Sequence, residues 1–429
     1  MPWVLAKRRE LESLTRDDDF VWATGIEDTF ITDPWTKTGR TLDEYELTKH
    51  YDNWETDLRL VQELGVSAAR YGIPWYRANP DPGRFDWDWA DPVFDRFERI
   101  NVEPIVDLVH YGTPAWLKDS FLNPDYPKRI AEYAHEMATR YKGRLHWYTP
   151  LNEPRITAWY CGRIGWWPPY RRTWRGFCQI MMAVCQGVVE TIKALHEVDP
   201  EIVIAHVDPT DVYFTYDVSL DEEVNLRKQI VFLALDLISG KIDHEHDLYK
   251  WLKDNGLSDE NLDWFRSNPA PLDVIGLNMY PMFSWKRAIR TSRGLRMRLE
   301  YAPARILGEI CEMYFQRYKR PILISETAAW GTISRRKQWM HQSIEVVGEL
   351  RGRGIPVFGY TWWPMFSLVG WGYRQHHLEL KRYLLKMGLW DLDPDKDLAR
   401  LRTPLVDDYR AAVSSGTDRV GSLRAEVKR

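Results

Sequence analysis

The sequence predicts an α/β protein, a (β/α)8 barrel with long loops after its strands, and three observations lead to this fold class. Strand-like runs rich in Val, Ile and aromatic residues alternate with helical patterns along the 429 residues. There are eight such runs, which favours a closed barrel over an open doubly wound sheet. The longest irregular stretches all follow a predicted strand, as the active-site loops of such a barrel do.

The eight predicted strands are short, and helical patterns lie between most of them. They cover residues 20–26, 68–75, 103–110, 146–153, 201–208, 272–280, 321–327 and 356–363. Two of them open on a proline, Pro321 and Pro356, at a position where a missing backbone N–H is tolerated. We therefore expect eight parallel strands whose C-terminal ends share one mouth.

Two helices carry clear signals. Asn53 is the predicted N-terminal cap of a helix over residues 54–64, and Gly65 is its predicted C-terminal stop. Apolar residues recur at helical spacing from 177 to 195 as one long stripe, which predicts a core helix. We expect a single catalytic domain over residues 1–429, with its core at about 20–410 and a charged, peripheral tail after Asp408.

Five long loops follow predicted strands and should converge on one end of the barrel. They cover residues 28–52, 154–173, 208–222, 281–301 and 364–380. Arginines are frequent in residues 163–175 and 285–298, where they could meet an anionic substituent on a substrate. A solvated basic surface is the alternative interpretation of the same arginines.

The composition argues against several classes of partner. The chain is 44% hydrophobic and has a formal net charge of −4, without a dominant basic block, so nucleic acid is not an expected partner. The four cysteines form no CxxC pair, and residues 1–19 lack the continuous apolar segment of a signal peptide or membrane span. We expect a cytoplasmic protein with no membrane partner, and homo-oligomerisation stays open.

Tryptophan is unusually frequent for a residue type that is normally rare, with 22 copies beside 22 tyrosines. Aromatic rings have an apolar face and, in Trp and Tyr, a polar edge, which suits the C–H faces and hydroxyl rims of sugars. Most of these rings are expected to fill the core, and a minority to contact a ligand.

Two strand-like runs end in a glutamate. Tyr148-Thr149-Pro150-Leu151-Asn152-Glu153-Pro154 delivers Glu153, and Pro321-Ile322-Leu323-Ile324-Ser325-Glu326-Thr327 delivers Glu326. In a parallel barrel both carboxyls would reach the same mouth from different strands. Paired carboxyls that flank a bond are the working groups of glycoside hydrolysis, so the sequence predicts a glycosidase acting on a carbohydrate or glycoside.

Several segments, in order and mostly at strand ends, resemble glycoside hydrolase family 1, the β-glucosidase-like family of (β/α)8 retaining glycosidases. They are Phe20-Val21-Trp22, LVQELGVSAARYGIPW from residue 60, EPIVDLVHYGTPAWL from 103, TPLNEP from 149, GLNMY from 276, ILISET from 322, GYTWWPMFSLVGWGYR from 359 and MGLWDLD from 387. The resemblance covers most of the chain. It implies a retaining β-glycosidase that works by double displacement without a metal or organic cofactor.

The resemblance also implies roles for individual residues. Glu326 becomes the nucleophile and Glu153 the general acid/base, and a retaining enzyme would hold their carboxyls roughly 5–5.5 Å apart. With Arg70 and Tyr280 beside it, Glu326 is expected to have a low pKa, whereas Glu153 must begin protonated. The remaining predicted substrate-binding or supporting residues are His110, Asn152, Asn278, Trp363, Trp371 and Glu27.

The sugar-binding part of the pattern departs from the family. The family's glutamate in the last loop, which binds the outer sugar hydroxyls, falls on Gly370, and its early glutamine falls near Glu27. We expect vacated space beside Gly370 and a modified or less common glycoside as substrate. The alternatives are a transglycosidase with the same covalent intermediate and a non-catalytic carbohydrate-binding barrel. His244-Glu245-His246 is interpreted as a solvated turn and not a metal site, because histidines at i and i+2 point apart on a helix.

Overall fold

The computed structural model describes Arg8, Glu10, Leu11 and residues 20–415, and its centre is a closed barrel of eight parallel strands. The barrel strands, numbered β1 to β8 in chain order, are Val21–Gly25, Ala68–Gly72, Glu103–Asp107, Trp147–Thr149, Val203–Pro209, Val274–Asn278, Ile322–Thr327 and Val357–Trp362. Each strand pairs with its sequence neighbours, and β8 closes on β1 with Val21 opposite Gly359. All eight predicted strands are confirmed.

The core has two layers, as a barrel with helices outside requires. The interior layer is a small cluster of side chains that point inward from the strands: Val21, Ala23, Ala68, Ile105, Trp147, Val203, Ala205, Val274, Leu323 and Phe358. The alternate residues of the strands point outward into a much larger apolar cluster shared with the helices. The barrel is therefore filled by side chains and offers its ligand site only at the mouth.

Helices connect most of the barrel strands. They are Glu44–Leu47, His50–Leu64, Trp75–Ala78, Ala90–Ile100, Tyr126–Arg140, Pro154–Ala158, Trp174–Val198, Asp221–Ile230, Leu233–Ile238, Tyr249–Asp254, Asp259–Ser267, Arg305–Tyr318, Ile333–Gly352 and Leu405–Ser414. Shorter helical turns are Ser120–Leu122, Trp159–Arg163, Val218–Leu220, Trp371–Gln375 and Leu380–Arg382.

The helix predicted over residues 54–64 is longer than expected. It begins at His50, and Asn53 lies within its first turn, where the side-chain amide donates to the carbonyl of Lys49. The prediction that Asn53 caps this helix is therefore wrong. Gly65 does end the helix, with a φ of 73° in the left-handed region that glycine adopts without strain.

The predicted core helix is Trp174–Val198, the longest of the described helices. Its length and apolar composition would suffice to cross a membrane, but 67% of its most apolar window is buried inside the structure. The stripe predicted from 177 to 195 packs within the large apolar cluster, as expected of a core helix. The predicted peripheral tail lies mostly outside the described residues, as do most of residues 1–19.

In the described part of the chain, four small sheets lie in or beside the loops around the barrel mouth. The strands Val212–Phe214, Trp285–Thr291 and Gly294–Glu300 form a three-stranded sheet, here called the outer sheet, which follows β5 and β6. Two-stranded pairs join Phe30–Ile31 with Leu42–Asp43, Leu368–Val369 with Leu384–Leu385, and Trp390–Asp393 with Ala399–Arg402.

Candidate active site

The two glutamates of the sequence motifs lie together at the mouth of the barrel. Glu326 is the fifth residue of β7, and Glu153 follows β4 at the start of the helix Pro154–Ala158. Backbone hydrogen bonds to neighbouring strands hold both: Glu153 N–H donates to the Val207 carbonyl at 3.0 Å, and Met279 N–H donates to the Glu326 carbonyl at 2.9 Å. The residues are 7% and 4% exposed, so both carboxyls are shielded from bulk water.

Glu326 accepts a hydrogen bond on each carboxyl oxygen. Arg70 Nη1 donates to Oε1 at 2.6 Å, and the Tyr280 hydroxyl donates to Oε2 at 2.7 Å. Arg70 is fully buried in the middle of β2, and Tyr280 follows β6. A cation on one oxygen and a hydroxyl donor on the other fix the carboxyl plane and favour its ionised form.

Glu153 has a different set of partners, and no guanidinium of the described residues hydrogen-bonds to it. Asn278 Nδ2 donates to Oε1 at 3.0 Å, and the Tyr111 hydroxyl bonds Oε2. Glu153 itself has a φ of 49°, in the left-handed region. That backbone conformation lets Asn152 and Glu153 both reach the mouth, although consecutive residues of a regular strand point to opposite faces.

Arg70 and Asn152 join the two glutamates into one network. Arg70 Nη2 donates to Asp107 Oδ2 at 2.6 Å and to Asn152 Oδ1 at 2.9 Å. Because the Asn152 oxygen is taken by Arg70, its amide nitrogen faces His110 Nε2 at 3.0 Å and the Tyr111 hydroxyl at 2.9 Å. The orientation of the Asn152 amide is thereby fixed.

His110 stands behind Asn152 and pairs with a buried carboxyl. Its Nδ1 lies 2.6 Å from Asp28 Oδ1, while Nε2 faces the Asn152 amide nitrogen. Burial lowers the pKa of His110, but the charge of Asp28 outweighs that effect and raises the pKa well above its usual range. Burial raises the pKa of Asp28 to about 7, against the opposing effect of His110.

Trp363 and Glu27 form the far side of the pocket. The Trp363 ring stacks parallel to His110 at 5.9 Å, and the Arg70 guanidinium lies 4.7 Å from its centroid. The indole N–H donates to Glu27 Oε2 at 3.1 Å, and the Thr29 hydroxyl donates to Glu27 Oε1 at 2.6 Å. Glu27 thus belongs to the same pocket as the two glutamates.

Trp371 lies further out and is half-buried. Its ring contacts Tyr111, Tyr160 and Trp167 at centroid distances of 5.3, 5.2 and 5.0 Å. Tyr111, which donates a hydrogen bond to Glu153, is one of these neighbours, so Trp371 packs on the side of the pocket where Glu153 lies. All ten predicted site residues, Glu153, Glu326, Arg70, His110, Asn152, Asn278, Tyr280, Trp363, Trp371 and Glu27, lie at or beside this mouth.

Comparison with known proteins identifies the family. The sequence pattern described as "Glycosyl hydrolase family 1" matches residues 22–293, more than half of the chain. The chain belongs to glycosyl hydrolase family 1.

Individual relatives agree with that assignment over different lengths. A bifunctional β-D-glucosidase/β-D-fucosidase of Bifidobacterium breve is 35% identical over 141 residues, which cover 30% of this chain and 31% of the relative. A 6-phospho-β-glucosidase of Clostridium longisporum is 24% identical over 374 residues, 74% of this chain and 76% of the relative. The β-glucosidase of Thermotoga maritima in complex with deoxynojirimycin superposes with a TM-score of 0.80 at 18% identity, covering 93% of this chain and 98% of that one.

In this family 1 protein, burial dominates the protonation of both glutamates. It raises the pKa of Glu326 to about 8, with Arg70 lowering it and the neighbouring Glu153 raising it further. Burial also raises the pKa of Glu153, against the hydrogen bonds from Tyr111 and Asn278. The expectation of a low pKa for Glu326 is therefore wrong, because the sequence shows the partner Arg70 but not the depth of burial.

The two carboxyls titrate as one coupled pair, and their surroundings favour a particular site for a shared proton. Glu326 faces the fixed cation of Arg70, whereas Glu153 has only neutral hydrogen-bonding partners. The singly protonated pair therefore carries its proton on Glu153. The expected raised pKa of Glu153 agrees with the structure.

The segment that carries Leu385 lies beside Gly370 in the last loop. A Cβ built on Gly370 would contact Leu385 Cδ1 and the Tyr383 carbonyl oxygen, each at 3.4 Å. The Gly370 N–H donates to that same carbonyl at 2.8 Å. Both Cβ distances are ordinary van der Waals contacts, so a small side chain would fit there, and the vacated space beside Gly370 stays a prediction.

Glu44 is a site-associated residue that the sequence motifs missed. It is fully buried, its Oε2 accepts from the Val369 N–H at 3.0 Å, and its own N–H donates to the Thr29 carbonyl at 3.0 Å. Burial, followed by the nearby charge of Glu27, raises its pKa well above the usual range. Glu44 therefore links the loop after β1 to the last loop, next to Gly370.

Three other residues complete the network: Tyr111, Asp107 and Asp28. Tyr111 follows His110 directly and turns into the pocket because its φ is 73°. A strand alternation pattern would have pointed it away. Asp107 and Asp28 are fully buried charges that balance Arg70 and His110, and only their position near strand ends distinguishes them in the sequence.

Asp28, Asp107 and His110 each offer a potential metal-ligand atom, and these atoms lie within 4.8 Å of one another. Arg70 already donates to Asp107, and His110 pairs with Asp28, so the three side chains have counter-charges within the protein. The three side chains and Arg70 form an ion-pair network beneath the pocket. That the activity needs no metal stays a prediction.

Proposed function

We propose that this protein hydrolyses β-linked glycosides with retention of configuration, through a covalent glycosyl-enzyme. The observation that carries the proposal is the asymmetry of the two buried glutamates. Glu326 is held by Arg70 and Tyr280 on both oxygens, while Glu153 has neutral partners only. One carboxyl is therefore prepared as an anion and the other as an acid, which is the division of labour that double displacement needs.

In the first step Glu326 attacks the anomeric carbon and forms an ester bond, while the glycosidic C–O bond breaks. Glu153 gives its proton to the departing oxygen, so the aglycone leaves as a neutral alcohol. Glu153 is left as a carboxylate. Once Glu326 is esterified, its negative charge no longer opposes a carboxylate at Glu153, so Glu153 stays ionised for the second step.

In the second step the Glu153 carboxylate takes a proton from water, and the resulting oxygen attacks the anomeric carbon. The ester bond to Glu326 breaks, and the sugar leaves with its original configuration. Asn152, fixed by Arg70, is positioned to accept or donate at the sugar 2-hydroxyl, a contact that strengthens in the transition state. Trp363, parallel to His110, offers a flat apolar face for the ring.

The names of relatives support a β-glycoside as substrate, since they include a β-glucosidase/β-fucosidase and a 6-phospho-β-glucosidase. The sugar itself is set by the part of the pocket around Glu27 and Gly370, which departs from the family pattern. We propose a modified or less common glycoside, read by Glu27 and the groups behind it. All four cysteines are free and buried, which supports the further proposal of a cytoplasmic protein.

The experiment that tests the mechanism is covalent trapping. A 2-deoxy-2-fluoro glycoside with a good leaving group should inactivate the enzyme and label the peptide containing Ile324 to Thr327. Mass spectrometry after proteolysis identifies the labelled carboxyl. Labelling of any carboxyl other than that of Glu326 would overturn the assignment, as would full activity in Glu326→Ala.

A further inference from the structure

The outer sheet has two faces of different character, and the pairing of its strands tells them apart. Residues directly opposite one another in adjacent strands lie on the same face. The register Trp285 with Glu300, Arg287 with Arg298 and Ile289 with Arg296, together with Val212 and Phe214 opposite Trp285 and Arg287, defines one face. We call it the arginine face: Val212, Phe214, Trp285, Arg287, Ile289, Arg296, Arg298 and Glu300.

The other face of the outer sheet is buried at Tyr213 and Ala288 and exposed at Arg290 and Leu299. On that face Lys286 Nζ donates to Asp211 Oδ2 at 2.7 Å. The same Asp211 oxygen accepts from Arg155, two residues after Glu153, at 2.6 Å. The sheet is therefore anchored beside the acid/base residue, and the arginine face points outward.

Charge on the arginine face is unbalanced. It holds three arginines and one glutamate, and Glu300 pairs with Arg287 at 2.8 Å. Arg296 and Arg298 are exposed, and Arg298 stands directly opposite Arg287 in the ladder. Like charges directly opposite in a sheet are destabilising. A chain that breaks such a local rule commonly does so where a function requires it.

One group of aromatic rings lies beside the active site, and a second group lies on this face. Tyr280, which holds Glu326, contacts Phe283 at 6.1 Å, and Phe283 contacts Trp330 at 5.6 Å. Phe283 and Trp330 are each 37% exposed. Two residues further along, Trp285 packs on Phe214 at 5.1 Å, and an exposed ring, that of Tyr216, continues the series at 5.7 Å from Phe214.

We propose that the arginine face binds an anionic oligosaccharide that extends outward from the active-site mouth. Aromatic rings pack against the C–H faces of successive sugars. Each arginine guanidinium can donate two parallel hydrogen bonds to one carboxylate or sulfate group. This inference rests on the proposed function, since it names the class of chain to which the scissile sugar is attached. Single-stranded nucleic acid would also meet rings and arginines, but here the sheet is anchored beside Glu153 through Asp211, and other rings lie beside the nucleophile.

Equilibrium binding tests the proposal without requiring turnover. The probes are oligogalacturonates, which carry carboxylates, heparin-derived oligosaccharides, which carry sulfates, neutral cello-oligosaccharides of equal length, and a single-stranded DNA oligonucleotide. Titration of the full-length Glu326→Gln protein, followed by tryptophan fluorescence, should show binding to at least one anionic saccharide that weakens as salt is added. The neutral probe should bind at least about tenfold more weakly.

The double variant Arg296→Gln/Arg298→Gln should lower affinity for the anionic saccharide about tenfold or more. The matched control is Arg290→Gln, which removes one charge from the same hairpin but belongs to the opposite face, where it pairs in register with Leu295. That control should bind as tightly as the parent protein. Circular dichroism of each variant verifies the fold.

Four results would overturn the proposal: no binding to either anionic saccharide, equal binding of the neutral probe, equal or tighter binding of DNA, or an equal loss in Arg290→Gln. The proposed function can fail separately. If the fluorinated glycoside labels no carboxyl but anionic saccharides still bind through Arg296 and Arg298, the barrel is a binding protein with this face intact.

Discussion

The two ends of the pocket differ in how closely they follow the family pattern and in how they are held together. At the catalytic end, Arg70, Asn152 and Tyr280 come from a barrel strand or shortly after one, and they bond Glu326 or each other. At the sugar-binding end, the loop carrying Gly370 is held by Glu44 from another loop and is packed against Leu385. The rigid barrel preserves the chemistry, and the loops are free to change the substrate.

The reaction constrains the residues at the catalytic end of the pocket more tightly than those at the sugar-binding end. A catalytic carboxyl must meet the anomeric carbon whatever the sugar, so its strand-end position is constrained by the reaction. A hydroxyl-binding group only has to meet one substituent, and a side chain from another loop can do the same. We therefore expect substitutions at the catalytic end to abolish the chemistry, and substitutions at the other end to change its selectivity.

The largest effect is expected at Glu326. Glu326→Ala removes the nucleophile and one of the two carboxylates that Arg70 binds, so kcat on an aryl β-glycoside should fall by about 10⁴-fold or more. The measurement is initial rate with an aryl glycoside of the best accepted sugar. Glu349→Gln, an exposed glutamate on an outer helix, is the control and should keep the parent rate. Equal rates in both variants would remove Glu326 from the mechanism.

The second effect depends on the leaving group. Glu153→Ala removes the acid, so glycosides with poor leaving groups should lose about 10²–10⁴-fold in kcat/KM, while an activated aryl glycoside loses far less. Added azide should restore turnover and give a β-glycosyl azide. A structure with a bound inhibitor should have the two carboxyls roughly 5–5.5 Å apart. A separation of about 6.5 Å or more, or an α-azide product, would indicate inversion.

The sequence predicted the catalytic end well because its signals are local. Each glutamate ends an apolar run, and the rule that parallel strands share a mouth brings the runs together. The depth of burial is not local, and so the pKa of Glu326 was predicted in the wrong direction. Burial arises when all loops close over the carboxyls, which no single motif reports.

The contacts at the sugar-binding end of the pocket could not be predicted from the sequence, because they too are not local. Glu44 lies in an expected active-site loop, but nothing in its neighbourhood indicates a bond to Val369, which is 325 residues away. Likewise, Gly370 indicates a missing side chain but not that Leu385 and the Tyr383 carbonyl lie beside the place. Contacts between two long loops are set by packing in three dimensions, and one sequence carries no signal for them.

The third effect concerns the sugar. The family's carboxylate at position 370 is absent, and each unpaired hydroxyl in a buried site costs about 1–3 kcal/mol. Plain aryl β-glucoside should therefore react with a kcat/KM well below about 10⁴ M⁻¹s⁻¹. Kinetics on aryl β-glucoside, β-galactoside, β-fucoside and β-xyloside decide the point. Efficient turnover of the glucoside would mean that Glu27 alone supplies the missing contacts.

The fourth effect is on pH dependence. Catalysis needs one proton in the Glu153–Glu326 pair, and the pKa of about 8 for Glu326 in the coupled pair places its loss in mildly alkaline solution. We expect kcat/KM to fall about tenfold per pH unit above about 8. Because the folded pKa is raised above the unfolded one, this pair also stabilises the fold most at low pH and loses that contribution as pH rises towards 8.

The pH profile of Glu153→Gln provides the check on that assignment. The amide cannot ionise, so its residual activity on an activated aryl glycoside should lack the alkaline fall near pH 8. A fall that persists unchanged in Glu153→Gln would belong to another group, and Asp28, with a pKa raised by burial to about 7, is the nearest alternative. Thermal unfolding of the parent protein between pH 5 and 9 measures the stability part separately.

The smallest effect is expected at Glu44, and it tests whether the second end of the pocket is held as described. Glu44→Ala leaves the buried Val369 N–H without its acceptor, at a cost of about 1–3 kcal/mol in the free energy of unfolding. KM should rise several-fold through the displaced last loop, with kcat nearly unchanged, because the catalytic groups belong to the barrel. Glu44→Gln keeps a carbonyl acceptor for the Val369 N–H and should restore both the KM and the free energy of unfolding, since the raised pKa of Glu44 makes its neutral form the relevant one.

Glu46→Ala, which changes an exposed neighbour on the same short helix, is the matched control. A large loss of kcat in Glu44→Ala, not rescued by glutamine, would mean that the two ends of the pocket are not separable.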